Sequence, residues 1–298
     1  MGRTSDERET KVKLLNQIYN EDCMATMKNM EQSGVFCDVV LTSPPYNTGK
    51  SMESNATNMR ICDVRYDVFV EDKTDEEYIA WTLGLFEHMD KILAPNGVVL
   101  YNLSYSSNRT SNANGCKVTD LMWRVVAAIC EKTVFTVADR IVWKKKSAIP
   151  NNRSSNKLTR ICEDVFVFCR KAEYLSFHAN KKVVSISGGK RAGQKNYEVI
   201  FNFVEAKNND GSCPFNKATF SSELCEKLLS IYAEEGMVVY DPFMGSGTTA
   251  LACKNMGLSY IGSEISEKQC EWAENRINTS LLSCTSNGGD PNAQERNS

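Results

Sequence analysis

A chain of 298 residues with an apolar fraction of 42% is long enough for one large domain or two ordinary ones. Its apolar runs fall short of the roughly 18 residues of a membrane span, and its first residues lack the apolar segment of a signal peptide, which excludes a membrane protein and predicts an intracellular one. The twelve cysteines include no C-x-x-C pair, so we expect reduced, mostly buried thiols and no metal site.

The net charge of −2 conceals a strong local excess of positive charge. Between Trp143 and Phe220 there are fifteen basic and six acidic residues, a net charge of +9 that leaves −11 for the rest of the chain. An excess of this size is expected where a protein contacts the phosphates of a nucleic acid. A solvated basic surface is the alternative interpretation.

The amino-terminal part of the chain predicts two strands separated by a helix. Residues 1–13 are charged and are expected to be a flexible terminus. Leu14–Tyr19 predicts a short strand, and a helix follows Asp22 and Cys23. Val35–Thr42 then predicts a buried strand, because it carries an apolar run of strand length.

This buried strand ends in an unusual motif, Thr42-Ser43-Pro44-Pro45-Tyr46-Asn47. Proline fixes its own φ and keeps the preceding residue extended, so the two prolines predict a stiff turn at the carboxyl end of the strand. Open α/β sheets place their chemistry at such ends. A rigid turn can hold the Ser43 hydroxyl and a backbone carbonyl as fixed acceptors, with Tyr46 ready to stack on a flat substrate. The alternative is a turn that only ends the strand.

The central part of the chain alternates helices with short apolar strands. After the polar stretch 47–74, a capping box at Thr74–Glu77 predicts a helix that ends at Pro95-Asn96-Gly97. Val98–Leu103 and Phe135–Val142 predict strands, with a helix between them. This alternation is typical of βαβ units in a mostly parallel sheet.

The chain changes character after Trp143. Only Asp164–Cys169 predicts a strand within the basic stretch, which we interpret as an insertion or lobe attached to the sheet. A helix capped by Ser221 and a strand at Val238–Tyr240 follow. The polar tail 283–298 is expected to be disordered.

A second motif, Asp241-Pro242-Phe243-Met244-Gly245-Ser246-Gly247-Thr248-Thr249, joins the last of these strands to a helix. Its two glycines allow a tight turn and a close approach of the backbone to a ligand. Thr248 and Thr249 begin the helix, where free N–H groups attract anionic groups. Glu264 ends the next strand, at the position where dinucleotide folds bind ribose hydroxyls. The motif therefore predicts a nucleoside-containing ligand, although it lacks the lysine of a P-loop and the third glycine of nicotinamide-binding folds.

Together these two motifs resemble those of the DNA amino-methyltransferases that use S-adenosylmethionine. Their order, with the catalytic motif first and the cofactor motif last, resembles the β class of that family. Four further segments resemble conserved stretches of the family: Ile18–Cys23, Ile92–Gly97, Ile141–Lys145 and Ala218–Leu224. The resemblance extends from about Gln17 to Ile277.

The resemblance implies an α/β fold with a Rossmann-like, seven-stranded mixed sheet flanked by helices, in circularly permuted methyltransferase order and with a target-recognition insertion. It divides the chain into a catalytic half at 14–142, a target-recognition region at 143–217 and a cofactor-binding half at 218–282. It also implies double-stranded DNA as the partner. The protein would lie inside the cell with the DNA, in the cytoplasm or nucleoid, or in the nucleus of a eukaryotic source. A homodimer and a cognate restriction endonuclease are left open.

The same resemblance assigns roles to individual residues. The catalytic group is Ser43, Pro44, Pro45 and Tyr46. The residues implied around the cofactor's methionine part are Asp241, Phe243, Gly245, Gly247, Thr248 and Thr249, with Glu264 on the ribose, Asp22 and Cys23 at the adenine edge, and Phe220 and Ser221 closing the pocket. In the alternative interpretation, Phe220 and Phe243 are plain core residues, Asp22 only caps a helix and Glu264 is a surface acid.

An exocyclic amino nitrogen is a poor nucleophile because its lone pair is delocalised into the ring. Acceptors at the Ser43 side chain and the Pro44 carbonyl would localise that lone pair on a base flipped out of the helix, with Tyr46 stacked on it. Lys50 or Arg60 would contact phosphate, and the alternative is that each is a solvated charge.

In the family, serine at this position favours N4 of cytosine over N6 of adenine. An RNA or protein-glutamine methyltransferase and a non-catalytic nucleic-acid-binding module are the remaining alternatives.

Overall fold

The computed structural model describes residues 13–47, 73–104, 120–148, 155, 158–185, 189–191, 193–211, 213 and 220–285. The strands, in chain order, are β1 (Gln17–Tyr19), β2 (Cys37–Thr42), β3 (Leu93–Leu103), β4 (Phe135–Lys145), β5 (Cys162–Arg170), β6 (Val183–Ser185), β7 (Lys195–Tyr197), β8 (Phe203–Ala206), β9 (Val238–Asp241) and β10 (Ser259–Ser263). The helices are α1 (Cys23–Gln32), α2 (Asp75–Ile92), α3 (Leu121–Lys132), α4 (Ser222–Tyr232), α5 (Thr248–Asn255) and α6 (Glu267–Thr285).

Eight of these strands form one mixed sheet in the order β1-β10-β9-β2-β3-β5-β4-β8, and β6 pairs with β7 in a separate hairpin. The five strands from β1 to β3 in this order are parallel, whereas β5 is antiparallel to both of its neighbours. The predicted α/β class with a mixed sheet between helices is confirmed.

The described sheet has one strand more than the seven predicted. The additional strand is β8, which pairs in parallel with β4 from Val142↔Phe203 to Lys145↔Ala206. It is only four residues long, and Phe203 at its start is half exposed. Such a short edge strand leaves little hydrophobic pattern in the sequence.

Within 143–220 the sequence predicted one strand, and the structure adds β6, β7 and β8 to it. The predicted strand of this stretch, β5, lies inside the main sheet between β3 and β4. Every residue of β6 and β7 is exposed, so neither strand shows the apolar alternation of a half-buried strand.

Several element boundaries differ from those predicted. The first strand begins only at Gln17, because Asn16 has a φ of 59° and interrupts the extended chain. Helix α2 ends at Ile92 rather than at the Pro95-Asn96-Gly97 turn, which lies inside β3. Helix α6 continues through Thr285, so the first residues of the predicted disordered tail are helical. The rest of that tail and residues 1–12 lie outside the described residues.

The capping box of α2 forms as predicted. The backbone N–H of Glu77 donates to Thr74 Oγ1 at 3.2 Å, and the Glu77 carboxylate accepts from the backbone N–H of Thr74 at 2.8 Å. These bonds satisfy donors that the helix leaves unpaired at its start. The box fixes the first turn of α2, the helix that carries Tyr78 and Trp81.

Each face of the sheet carries its own hydrophobic core. Along β2, Val40 packs into the core on one face, whereas Val39 and Leu41 pack into the core on the other. Both faces are buried under helices, so β2 is apolar without a break, as parallel strands in α/β proteins are. The nine described cysteines are all free and mostly buried, as expected. No helix among the described residues is long and apolar enough to span a membrane.

Replacing Phe86 with alanine should destabilise the fold by about 3–5 kcal/mol, because a fully buried ring is lost from a tightly packed core. Its ring lies 5.1–5.4 Å from those of Tyr101, Phe135 and Phe168. Urea denaturation measures the loss. Phe36→Ala is the matched control, because 43% of Phe36 is already exposed, and it should cost about 1 kcal/mol or less. Equal losses in the two variants would contradict this view of the core.

Candidate active site

The carboxyl ends of the parallel strands meet at one edge of the sheet, and the Asp241 carboxylate joins two of them. One of its oxygens accepts from Thr42 Oγ1 at the end of β2 at 2.8 Å and from the backbone N–H of Phe243 at 3.0 Å. The other accepts from Thr249 Oγ1 on α5 at 2.6 Å. This carboxylate therefore ties the strand of the proline motif to the turn of the glycine motif.

Burial dominates the electrostatics of Asp241. It raises the pKa of this carboxyl from 3.8 to about 6, because removal from water disfavours the charged form. The hydrogen bonds from Thr249, Phe243 and Thr42 act in the opposite direction, since they stabilise the carboxylate.

The glycine motif forms a turn that admits no side chain at its second glycine. Gly245 and Gly247 have φ values of 56° and 78°, in the left-handed region. A Cβ on Gly247 would lie 2.7 Å from Cβ of Ala273 on α6. The absence of a side chain at Gly247 therefore lets the turn pack closely against α6.

Glu264 folds back over this turn from the end of β10. Its carboxylate accepts from the backbone N–H of Gly245 at 2.8 Å and from that of Ser266 at 2.9 Å. The side chain is buried, so the interpretation of Glu264 as a surface acid is not supported. The structure brings Glu264 directly beside the predicted cofactor turn.

Asp22 and Cys23 lie at the neighbouring strand end, after β1. Asp22 caps α1 by accepting from the backbone N–H of Met24 at 2.8 Å. Cys23 is buried, and burial raises the pKa of its thiol to about 12, so it is a neutral group. Its carbonyl accepts from Tyr240 Oη at 3.2 Å, which connects it to the cofactor strand β9.

Phe220 and Ser221, predicted to close the pocket, lie at the start of α4. Phe220 packs edge-on against Trp143, with ring centroids 6.0 Å apart. Ser221 Oγ caps α4 by accepting from the backbone N–H of Leu224 at 3.2 Å. No described contact joins either residue directly to the glycine turn.

Asp210 and Arg276 make an indirect link between the start of α4 and the glycine turn. Asp210 accepts from the backbone N–H of Ser222 at 3.0 Å and pairs with Arg276 of α6. Arg276 also donates to the Ser246 carbonyl at 3.3 Å and to Thr248 Oγ1 at 3.0 Å. The basic region and the cofactor turn therefore share one ion pair.

The proline motif is a buried turn with two partly exposed side chains. Pro44 and Pro45 are buried, whereas Ser43 and Tyr46 are half exposed. Tyr78 Oη on α2 donates to the Pro45 carbonyl at 2.8 Å. Among the described residues no group donates to the Pro44 carbonyl.

The hydroxyls of Ser43 and Tyr46 lie 2.7 Å apart and converge on Asn102 near the end of β3. Tyr46 Oη donates to Asn102 Oδ1, and Ser43 Oγ lies 3.4 Å from the same oxygen. Asn102 is fully buried. The predicted catalytic residues are thus held together by an amide on the neighbouring strand.

An aromatic row connects the two motifs. The Trp81 ring lies 5.5 Å from that of Tyr78 and 5.7 Å from that of Phe243, centroid to centroid. Phe243 is half buried and contacts a residue of the catalytic half. Helix α2 therefore supports both the proline turn and the glycine turn with one face.

Sequence reasoning missed several of these groups: Tyr78, Trp81, Asn102, Asp210 and Arg276. Asn102 left a signal, because it is the single polar residue in the apolar run from Val98 to Leu103. The other four lie among ordinary helix and loop residues. Lys50 and Arg60, predicted to contact phosphate, lie outside the described residues.

Comparisons with known proteins agree with the geometry of this edge. The chain is 26% identical over 274 residues to the type II methyltransferase M.BglII of Bacillus subtilis, covering 87% of this chain and 68% of that protein. It is 24% identical over 283 residues to the type II methyltransferase M.XycI of Xanthomonas campestris pv. cyanopsidis, covering 87% of each.

Two solved structures share the fold. The complex of M1.HpyAVI with SAM has a TM-score of 0.58 at 23% identity and covers 88% of this chain and 98% of that one. The cytosine-N4-specific PvuII DNA methyltransferase has a TM-score of 0.61 at 16% identity, and the match covers 87% of this chain and 85% of that one.

The permuted sheet with these two turns at one edge is that of a methyltransferase whose cofactor is S-adenosylmethionine. A family model described as DNA methylase matches residues 37–275, and the chain belongs to this family of N6/N4 DNA amino-methyltransferases. It is an enzyme that acts on DNA.

Gly247→Ala should weaken S-adenosylmethionine binding and destabilise the protein, because the new methyl group meets Ala273. Gly236→Ala is the matched control, since Gly236 also has a positive φ of 86° but nothing within 4 Å of an added Cβ. The control should cost about 1–2 kcal/mol of strain, and Gly247→Ala about 1–3 kcal/mol more from overpacking. Calorimetry and urea denaturation measure the two effects.

Adding Ala273→Gly to Gly247→Ala should restore part of the stability, because it removes the methyl group that the new side chain meets. If Gly236→Ala and Gly247→Ala behaved alike, or if the second change restored nothing, close packing of this turn against α6 would be the wrong explanation.

Proposed function

We propose that the enzyme transfers a methyl group to N4 of a cytosine flipped out of double-stranded DNA. The observation that carries this proposal is the pair of acceptors at the end of β2, the Ser43 hydroxyl and the Pro44 carbonyl, with Tyr46 beside them. Two acceptors suit the two hydrogens of an exocyclic amino group. N6 of adenine is the alternative, because its amino group presents the same two hydrogens.

The cofactor supplies an electrophilic methyl group on a sulfonium, and the described residues fit its binding. In the proposal the glycine turn, Asp241, Phe243, Thr248 and Thr249 surround its methionine part. Glu264 binds the ribose hydroxyls, Asp22 and Cys23 contact the adenine edge, and Phe220 with Ser221 stabilises the pocket wall from behind. The fit rests on the bare backbone at Gly247 and on the buried carboxylates of Asp241 and Glu264.

The chain's own catalytic contribution is positioning and charge. Ser43 and Pro44 accept from the amino group and so localise the nitrogen lone pair toward the methyl donor. Tyr46 stacks on the flipped base, and its anchored hydroxyl keeps the ring in place. No side chain forms a covalent bond to the base in this mechanism. The preference for cytosine rests on Ser43 in the first position of the motif.

Part of the positive charge of the proposed target-recognition region lies on and around the β6–β7 hairpin. Several of the basic residues of 143–217 are neutralised by ion pairs, such as Lys144 with Glu205 and Lys145 with Glu163. Five basic residues on and around the hairpin are exposed and have no ion pair among the described residues: Lys181, Lys182, Lys190, Arg191 and Lys195. A row of exposed apolar residues accompanies them, including Val199 and Phe201.

Such a surface of cations interleaved with apolar side chains supports contact with DNA phosphates and bases. In the proposal this hairpin approaches the duplex while the sheet edge receives the base. The type II designation of the relatives supports a role beside a cognate restriction endonuclease, inside the cell with the DNA.

Ser43→Ala should lower methylation about 100-fold or more, because one of the two acceptors for the amino group is lost. Affinity for S-adenosylmethionine should stay unchanged, since Ser43 is not in the proposed cofactor site. Ser230→Ala is the control, because it removes an exposed hydroxyl that bonds only within α4. Transfer of labelled methyl to DNA and calorimetry are the two measurements.

Mass spectrometry of nucleosides from DNA of cells expressing the enzyme identifies the base. We expect N4-methylcytosine; N6-methyladenine would select the alternative, and neither product would overturn the proposed reaction. Wild-type transfer rates in Ser43→Ala would remove Ser43 from the catalytic group.

Affinity for S-adenosylmethionine should rise as the pH increases from 5 to 7, because Asp241, with a pKa of about 6, becomes ionised and attracts the cationic cofactor. The same titration should lower the stability of the free protein. The folded-state pKa is raised, so the stability from this carboxyl is fully present below pH 3.8 and is lost as the pH rises through about 6. Asp241→Asn should flatten both profiles in calorimetry and urea denaturation. If the affinity of Asp241→Asn for S-adenosylmethionine still rose with pH, the rise would come from another titrating group.

A further inference from the structure

We propose that Asn102 is a positioning residue that fixes the Ser43 hydroxyl as a hydrogen-bond acceptor and thereby selects a base that carries an amino group. This inference rests on the proposed transfer to such a group. It concerns three side chains on two neighbouring strand ends: Ser43 and Tyr46 after β2, and Asn102 in β3.

The orientation of the Asn102 amide is set by its partner on β5. Its Nδ2 lies 3.2 Å from the backbone carbonyl of Asp164, which can only accept a hydrogen bond. The amide NH2 must therefore face Asp164, and Oδ1 must face Ser43 and Tyr46. Because Asn102 is fully buried, reversing the amide would leave two polar groups unsatisfied at a substantial cost.

This orientation decides where the hydroxyl protons point. Oδ1 is an acceptor only, so the Tyr46 hydroxyl donates its single proton to it. Tyr46 Oη is then able only to accept from Ser43 Oγ, which lies 2.7 Å away. Ser43 can instead donate to Asn102 Oδ1 at 3.4 Å, and its proton then also points into the protein.

In both arrangements the Ser43 hydroxyl donates its proton to a protein acceptor and presents its lone pairs to the substrate. An amino group of cytosine or adenine can donate to those lone pairs. A carbonyl at the same place, as in uracil or hypoxanthine, meets an acceptor and is rejected. Asn102 therefore makes a serine, which could otherwise donate or accept, behave as an acceptor.

The test compares binding of DNA that contains the target base with binding of the same DNA in which the target is deaminated, uracil for cytosine or hypoxanthine for adenine. S-Adenosylhomocysteine is present as an unreactive cofactor product, and the target is read first from the methylated DNA. The wild type should prefer the amino base by about tenfold or more. Leucine has a volume similar to that of asparagine. In Asn102→Leu the preference for the amino base should fall to about a third of the wild-type value or less, because Ser43 can now donate to the carbonyl of the deaminated base.

A double-mutant cycle separates this role from a structural one. In a Ser43→Ala background, Asn102→Leu should change the preference no further, whereas a purely structural effect would appear in both backgrounds. Cys37→Ala, at the opposite end of β2, is the control for core damage, because its buried thiol bonds only to the Ile92 carbonyl. It should lower stability and leave the preference intact.

Cofactor binding by calorimetry reports whether each variant folds. Asn102→Ala, which leaves room for water beside the Asp164 carbonyl, replaces Asn102→Leu if the latter fails to bind, and the same fall in preference is expected. If either folded variant keeps the wild-type preference for the amino base, the inference is overturned. Loss of cofactor binding in both variants also overturns it, because Asn102 would then be needed for folding. Absence of any methylated base with the wild type is a different failure, since it removes the proposed function itself.

Discussion

The carboxylate of Asp241 accepts hydrogen bonds from three donors that belong to three different parts of the site. Thr42 ends the catalytic strand, Phe243 lies in the glycine motif and Thr249 begins the helix behind it. Because the carboxylate is buried, it is stable as an anion only while these donors are in place. This one group therefore connects the proline turn to the glycine turn, and methyl transfer requires the two reacting groups to be held in close alignment.

The remaining contacts extend this constraint outward in two directions. The aromatic row of Tyr78, Trp81 and Phe243 supports both turns from α2, so the catalytic and cofactor motifs share a wall as well as a carboxylate. On the other side, the ion pair between Asp210 and Arg276 connects the basic region to the glycine turn. This ion pair is largely buried, with side-chain exposures of 13% for Arg276 and 18% for Asp210.

The sequence predicted what is encoded locally and missed what depends on distant partners. The proline motif and the glycine motif are each a contiguous stretch whose residue types dictate a turn, and the capping box at Thr74 spans only four residues. Asn102 accepts a hydrogen bond from Tyr46, which lies 56 positions earlier, and Arg276 pairs with a residue 66 positions away. Strand β8 was missed because its partner β4, rather than its own pattern, makes it a strand.

The order of the strands also determines how the chain must assemble. Strand β9 lies between β10 and β2, and Asp241 follows its partner Thr42 by 199 residues. At ribosomal rates of about 5–20 residues per second, β2 waits on the order of ten seconds or more for this neighbour. During that time it exposes an unpaired apolar edge, which is prone to association with other chains. The sheet is completed by non-local pairing, and the same pairing brings Asp241 to Thr42 at the candidate active site.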